Sequence, residues 1–211
     1  MIKENLFDIN DEINEDGIIV GMDEAGRGPL AGPVYAAAVI LPKDFPFELL
    51  NDSKKLNAKK RNIAENIIKE KAIAYAVCFA TVSEIDELNI LWASMLAMKR
   101  AFEKVEKMYD GQIDLALADG NKKPEVSARC EAIVKGDAKV HEIMAASILA
   151  KNERDRMMIL CDKKWPIYGF KKHMGYPTKL HRQMLEKNGP CPIHRKSFTY
   201  KKVEAQQLEL F

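Results

Sequence analysis

The chain has 211 residues, with 33 Lys and Arg against 31 Asp and Glu and 47% hydrophobic residues, which suits one domain able to bury a core without disulfide or metal staples. No apolar run reaches the length of a membrane span, and residues 1–16 are acidic without the apolar stretch of a secretory signal, so a cytoplasmic location is expected. The four cysteines, Cys78, Cys130, Cys161 and Cys191, form no CxxC pair and read as reduced core thiols; Cys191-Pro-Ile-His194 by itself is weak evidence for a metal site. Charge is uneven along the chain: residues 121–203 hold 19 Lys and Arg against 8 Asp and Glu. A basic block of that size is either a solvated surface or the footprint of a polyanion binder, and charge alone does not choose.

In chain order, the apolar runs at 17–22 and 34–41 read as buried strands, separated by a loop crowded with Gly26, Gly28, Pro29, Gly32 and Pro33. A charged helix is expected over 58–71 and a third strand over 72–82, and the three strands are expected to form an antiparallel meander. Ser83 with Asp86 resembles a helix start, and Leu91, Met95, Met98, Phe102 and Val105 recur at steps of four and three, one face of an amphipathic helix. Strands are expected at 113–118, ending at Asp119-Gly120, and at 131–134, ending at Gly136-Asp137. A helix follows over about 141–161 with Ile143, Ala146, Ala150 and Met157 inward, and Thr178 caps a last one to about 188. The sum is an α/β fold: a mixed five-stranded sheet flanked by helices, with a C-terminal helical extension. Residues 1–16 read as an acidic N-terminal extension, 17–200 as the main domain and 201–211 as a loose tail.

Four acids stand at the ends of these strands: Asp23 and Glu24, Asp119, and Asp137. An unpaired buried charge is costly, so any one of them is best read as a turn cap or a lysine partner. Four together, each beside glycine or a Gly-rich loop, are better explained by a shared site for a hard cation such as Mg²⁺ or Mn²⁺. Two such ions about 4 Å apart would grip a phosphodiester, activate water and stabilise the leaving oxygen. Adjacent strand residues point to opposite faces, so Asp23 and Glu24 share a site only if the strand loses its regularity there. The Gly26-Arg27-Gly28 turn is either a tight turn whose arginine binds any phosphate or a backbone approach able to sense a ribose 2′-hydroxyl. No GxxxxGK[ST] loop is present to support nucleotide hydrolysis.

GMDEAGRGPLAGPV (21–34), NDSKKL (51–56), ADGNKKP (118–124), IVKGDAK (133–139), AASILAKNERDR (145–156), YGFKKHMGYPT (168–178) and HRKSF (194–198) together resemble the motifs of bacterial ribonuclease HII, in that family's order and over nearly all of the chain from Gly17 to Tyr200. The resemblance implies the ribonuclease H-like fold and an endonuclease that hydrolyses the RNA strand of RNA–DNA hybrids. It implies cutting 5′ to single ribonucleotides embedded in duplex DNA, leaving 3′-hydroxyl and 5′-phosphate ends, by a two-metal mechanism using Mn²⁺ or Mg²⁺. It implies that Asp23, Glu24, Asp119 and Asp137 are the catalytic and metal-binding acids, that Gly26, Arg27 and Gly28 sense the 2′-hydroxyl, and that Tyr176 stacks on the sugar of the following deoxynucleotide. Ser53 and Lys54 are placed to contact phosphate; His194 and Arg195 either do the same or anchor the C-terminal segment. The chain departs from the family's pattern at Met174, where lysine is common, at Val140-His141-Glu142, and at Asn152-Glu153, where Val-Thr is common.

The tail ends Gln207-Leu208-Glu209-Leu210-Phe211, which resembles the short motif by which bacterial repair and replication proteins bind the sliding clamp. Gln207, Leu208, Leu210 and Phe211 are the expected contacts, with packing on the chain's own domain as the alternative. A monomer suffices, and no membrane partner is expected. Three rivals are a noncatalytic hybrid-binding or clamp-adaptor protein, a DNA-junction nuclease of the same fold, and ribonuclease HIII. The clustered acids, the ribose-sensing turn, and the short stretch before the first strand argue against these in turn.

Overall fold

The computed structural model describes residues 17–50 and 57–198. Ser53, Lys54, the N-terminal extension, and Gln207, Leu208, Leu210 and Phe211 lie outside the described residues. The strands are β1 (Ile19–Ala25), β2 (Val34–Ile40), β3 (Ala74–Ala80), β4 (Leu115–Asp119) and β5 (Cys130–Ile133). They form one sheet in the order β3-β2-β1-β4-β5. The first three pair antiparallel, as expected, whereas β4 runs parallel to both β1 and β5.

Both faces of the sheet are covered. Helix α1 (Ala58–Lys71) joins β2 to β3, α2 (Val82–Met108) follows β3, and α3 (His141–Lys164) follows β5. Every residue of β2 is buried, because its successive small side chains Ala36, Ala37 and Ala38 admit a helix on either side. Val20, Met22, Ala36, Ala38 and Ala76 pack with Met98 and Phe102 of α2. Ala37 and Val39 pack on the opposite face with Ala64 and Ile68 of α1 and Ile148 and Leu149 of α3. Helix α3 approaches β1 so closely that a Cβ at Gly21 would overlap the backbone of Glu142 and Ile143. Only glycine permits that approach.

Two local expectations are corrected. The first strand continues past Met22 and contains Asp23 and Glu24 in unbroken register, paired with Ala37 and Ala36. The helix after β3 starts two residues earlier than Ser83 and Asp86 suggest: Thr81 and Glu84 form a reciprocal capping box. Asp86 instead accepts hydrogen bonds from the backbone of Lys196 and Ser197, 3.1 and 2.9 Å away, and so ties the C-terminal segment to α2. Helix α2 breaks at Asn89 (φ 66°), whose side chain caps the restart by accepting from the N–H of Leu91.

The C-terminal region adds α4 (Phe170–His173) and α5 (Lys179–Asn188). Thr178 caps α5 as expected, accepting from the His181 N–H. Tyr168, Phe170 and Leu185 close over Met158 and Cys161 of α3 and over Leu30 and Ala31 of the loop after β1. All four cysteines are free and buried. Among the described residues no helix is long and apolar enough to cross a membrane.

Candidate active site

Strands β1 and β4 lie side by side and parallel, with Met22 opposite Ala118, so Asp23 and Asp119 leave the same edge of the sheet. The carboxyl ends of parallel strands are where such sheets bind ligands. After β5, Lys135 takes a left-handed conformation (φ 57°) and opens a single 3-10 turn, Gly136–Ala138, that carries Asp137. Asp119 Oδ1 accepts from the backbone N–H of Gly136 at 2.7 Å and of Asp137 at 3.4 Å. One acid thus holds in place the turn that presents another. One oxygen each from Asp23, Asp119 and Asp137 lie within 4.8 Å of one another.

The cluster is electrostatically unfavourable on its own. Burial, then the charges of Glu24 and Asp119, hold the Asp23 carboxyl well above the usual aspartate range, although a hydrogen bond from Ser147 pulls the other way. Glu24 is also raised, chiefly by burial, and is offset by Arg27, whose guanidinium lies 3.3 Å away. Three convergent carboxylates that repel one another, with oxygen the sole donor type, fit a hard divalent cation. Glu24 stands at the rim: it follows Asp23 in regular strand, yet both line one cleft because β1 ends at the next residue, Ala25.

That cleft encloses about 430 Å³ and is lined by both acids of β1 and by Asp119, Asp137, Gly26, Arg27, Gly28 and Tyr176. The turn is held from below by two buried guanidinium groups. Arg195 donates to the carbonyls of Gly26 (2.6 Å), Arg27 (3.0 Å) and Gly32 (2.9 Å). Arg154 donates to those of Ala31 (3.1 Å) and Pro33 (3.3 Å) and to that of Met174 (3.0 Å), beside Tyr176. Arg195 is therefore an anchor; burial and the neighbouring Arg154 charge pull it down to about 9, still cationic at neutral pH. The Tyr176 ring lies against Gly28, where an added Cβ would sit 3.5 Å from it.

Ser147, Arg61 and Lys151 also face the cleft and were not singled out from the sequence. A signal for two of them existed: Ser147, Lys151 and Arg154 recur at steps of four and three, a polar stripe on the face of α3 turned toward β1 and its loop. Arg61 carried none, because α1 reaches the cleft only through the tertiary fold.

The model of a known protein family, "Ribonuclease HII", matches residues 20–201. The chain belongs to the ribonuclease HII family. It is 54% identical over 182 residues to the ribonuclease HII of Dechloromonas aromatica (strain RCB), covering 86% of this chain and 91% of that one. Among solved structures, the fold matches that of the PCNA:RNase HII complex from Archaeoglobus fulgidus, at TM-score 0.70 and 22% identity, over 88% of this chain and 96% of that one. It also matches Bst-RNase HIII in complex with Mn²⁺, at TM-score 0.67 and 16% identity, over 82% and 63%. The chain is an endoribonuclease acting on RNA–DNA hybrids, and its mixed sheet is the ribonuclease H-like fold.

The departures from the family's pattern have structural counterparts. His141 stacks on Phe47, with ring centroids 4.2 Å apart. Asn152 is buried and donates to Glu65 at 2.8 Å, and Glu153 pairs with Arg156. Met174 adopts a left-handed conformation (φ 50°).

Proposed function

We propose that this ribonuclease HII-family member cuts on the 5′ side of a ribonucleotide joined to DNA, including a single ribonucleotide in a duplex, and leaves 3′-hydroxyl and 5′-phosphate ends. The observation that carries the reading is the meeting, in one cleft, of the Asp23–Asp119–Asp137 cluster with Gly26-Arg27-Gly28 and Tyr176. The three aspartates hold Mn²⁺ or Mg²⁺, and Glu24 supplies a fourth carboxylate from the rim. Bound divalent ions supply Lewis acidity, an activated water and charge stabilisation at the leaving oxygen. Mn²⁺ in the structurally similar Bst-RNase HIII supports this choice of ion.

The chain's own share is positioning. Asp119 fixes the turn carrying Asp137, and Ser147 orients Asp23. Arg195 turns the carbonyls of Gly26 and Arg27 toward itself, which sets the attitude of the peptide groups that meet the ribose. A 2′-hydroxyl both donates and accepts, so backbone groups at close range distinguish it from deoxyribose. Arg27 is half-exposed at the cleft mouth, where it, Arg61 and Lys151 meet the phosphate backbone. Tyr176, also half-exposed, offers its ring to the sugar of the next deoxynucleotide.

The catalytic unit spans residues 17–200, with residues 1–16 and 201–211 as appendages. Ser53 and Lys54 add phosphate contacts. The tail docks on the bacterial sliding clamp through Gln207, Leu208, Leu210 and Phe211; the archaeal relative solved with PCNA supports a clamp partner. Four unpaired thiols fit a cytoplasmic enzyme.

The test is a DNA duplex with one internal ribonucleotide, incubated with Mn²⁺ or Mg²⁺ beside all-DNA and RNA/DNA duplexes. A single cut 5′ to the ribonucleotide, absent with Asp119→Asn, is expected. Cleavage of long hybrids but not of the single ribonucleotide would remove the role given to Gly26, Arg27, Gly28 and Tyr176. Clamp binding unchanged by deleting residues 207–211 would remove the role of the tail.

A further inference from the structure

Three of the chain's four histidines, His173, His181 and His194, are buried together behind Tyr176. None of the three lines the cleft that holds the acids. His181 Nε2 lies 3.0 Å from His194 Nε2, and His181 Nδ1 lies 2.9 Å from the Tyr176 carbonyl. The His194 Nδ1 atom lies 2.9 Å from the backbone N–H of Cys191.

The two ends of this row determine its proton positions. A carbonyl only accepts, so His181 carries its proton on Nδ1 and donates it to Tyr176. Its Nε2 must then accept, which places the His194 proton on Nε2. His194 Nδ1 is left as an acceptor and meets a backbone donor, the Cys191 N–H. The Cys191 carbonyl, 3.3 Å from the same nitrogen, would favour the opposite tautomer, but that arrangement would set two acceptors face to face at Tyr176. His173 braces the row by stacking on His181, centroids 4.4 Å apart. It is itself held by the Gly175 N–H at Nδ1 and the Tyr168 carbonyl at Nε2. His181 and His194 are then neutral, which agrees with burial pulling His181 down to about 4 and lowering His194.

We propose that the His194–His181 relay is a specificity-determining positioning device: it fixes the Tyr176 main chain, and with it the ring lying against Gly28, and so sets how tightly the cleft holds the nucleotide following the ribonucleotide. The inference rests on the reading of Tyr176 as a substrate contact. The segment is clamped on both sides, since the Leu30 N–H donates to the Gly175 carbonyl at 2.8 Å and the Tyr176 N–H to the His173 carbonyl at 2.8 Å. The Tyr176 carbonyl also accepts from the Thr178 N–H at 2.8 Å, so the relay supplies its second donor and fixes the direction in which that peptide group is held.

Long-range ¹H–¹⁵N spectra of the full-length wild-type chain test the relay without substrate. A proton on Nδ1 of His181 and on Nε2 of His194 is expected; the reverse assignment overturns the proposal. Kinetics on the single-ribonucleotide duplex then test its role. His181→Phe and His194→Leu are expected to raise KM about five-fold, the effect of one ordinary hydrogen bond, with a smaller change in kcat. His194→Gln, whose amide restores a donor toward His181, recovers most of that loss and keeps the test open if either apolar variant fails to fold. In a Tyr176→Ala background the same substitutions lose their effect. Equal losses in both backgrounds, or a fall in kcat with no change in KM, overturn the relay's role. Cleavage and KM unaffected by Tyr176→Ala alone would overturn the reading of Tyr176 itself, whereas an impaired Tyr176→Ala beside silent histidine variants overturns the relay alone.

Discussion

Gly26 has a φ of 107°, a conformation that L side chains rarely adopt, and a Cβ there would overlap the Arg154 guanidinium. Arg154 in turn holds the carbonyls of Ala31, Pro33 and Met174, so it has no free direction in which to move. Gly26→Ala is expected to destabilise the chain by about 1–3 kcal/mol and to reduce cleavage at a single ribonucleotide more than cleavage of a long hybrid. Urea unfolding and paired rate measurements on the two substrates check this; equal losses on both would show that the turn does not read the junction. At this scale much was legible: a Gly-Arg-Gly turn after an acid pair advertises itself. The two guanidinium groups beneath it did not, because an arginine's sequence neighbours do not say whether its head meets water or a row of carbonyls.

Glu65 of α1 is buried and accepts from Arg156 (2.6 and 2.8 Å), Asn152 (2.8 Å) and Lys69 (2.7 Å). Although burial opposes ionisation, these donors hold its carboxyl down at about 2. Arg156 and Lys69 reach solvent, so Glu65→Ala leaves chiefly the buried Asn152 amide unmatched and is expected to cost about 1–3 kcal/mol, read by urea unfolding at neutral pH. Because the folded pKa lies below the unfolded value of 4.5, this stabilisation is complete above about pH 5 and is lost as pH falls toward about 2. The difference between wild type and Glu65→Ala should shrink over that window; a constant difference would contradict the assignment. The charged helix over 58–71 was evident in the sequence. Its docking on α3 was not, since Asn152 and Glu65 are 87 residues apart and local periodicity carries no information across that distance.

Across the whole molecule, the carboxylate cluster sets stability against function. Asp23 has a folded pKa above its unfolded value, so its cost is absent at acid pH, grows as pH rises from the unfolded value toward the folded one, and is complete only above the latter. A bound divalent cation offsets this repulsion. Mn²⁺ or Mg²⁺ at a hundred times its dissociation constant should add about 2.7 kcal/mol of stability. Asp23→Asn should raise the Tm of the metal-free chain by a few degrees, reduce the metal-induced shift and abolish cleavage. Scanning calorimetry with and without the ion distinguishes the cases: an Asp23→Asn variant no more stable than wild type without metal would contradict the electrostatic reading.

The sequence by itself determined the elements whose periodicity is local, the mixed α/β class and the family, and it singled out four acids as candidates, because clustered carboxylates after apolar runs are costly to bury without a shared purpose. Tertiary structure decided what depends on distance through space. The parallel pairing of β1 with β4 brings Asp23 beside Asp119, and the hydrogen bond from Gly136 to Asp119 brings in Asp137. Glu24 stays within the regular strand and pairs with Arg27 at the rim instead of joining the three-oxygen cluster. The buried arginines and the histidine row behind Tyr176 belong to the same class of fact. Their partners are backbone carbonyls and imidazole nitrogens, whose directions exist only once the chain has folded.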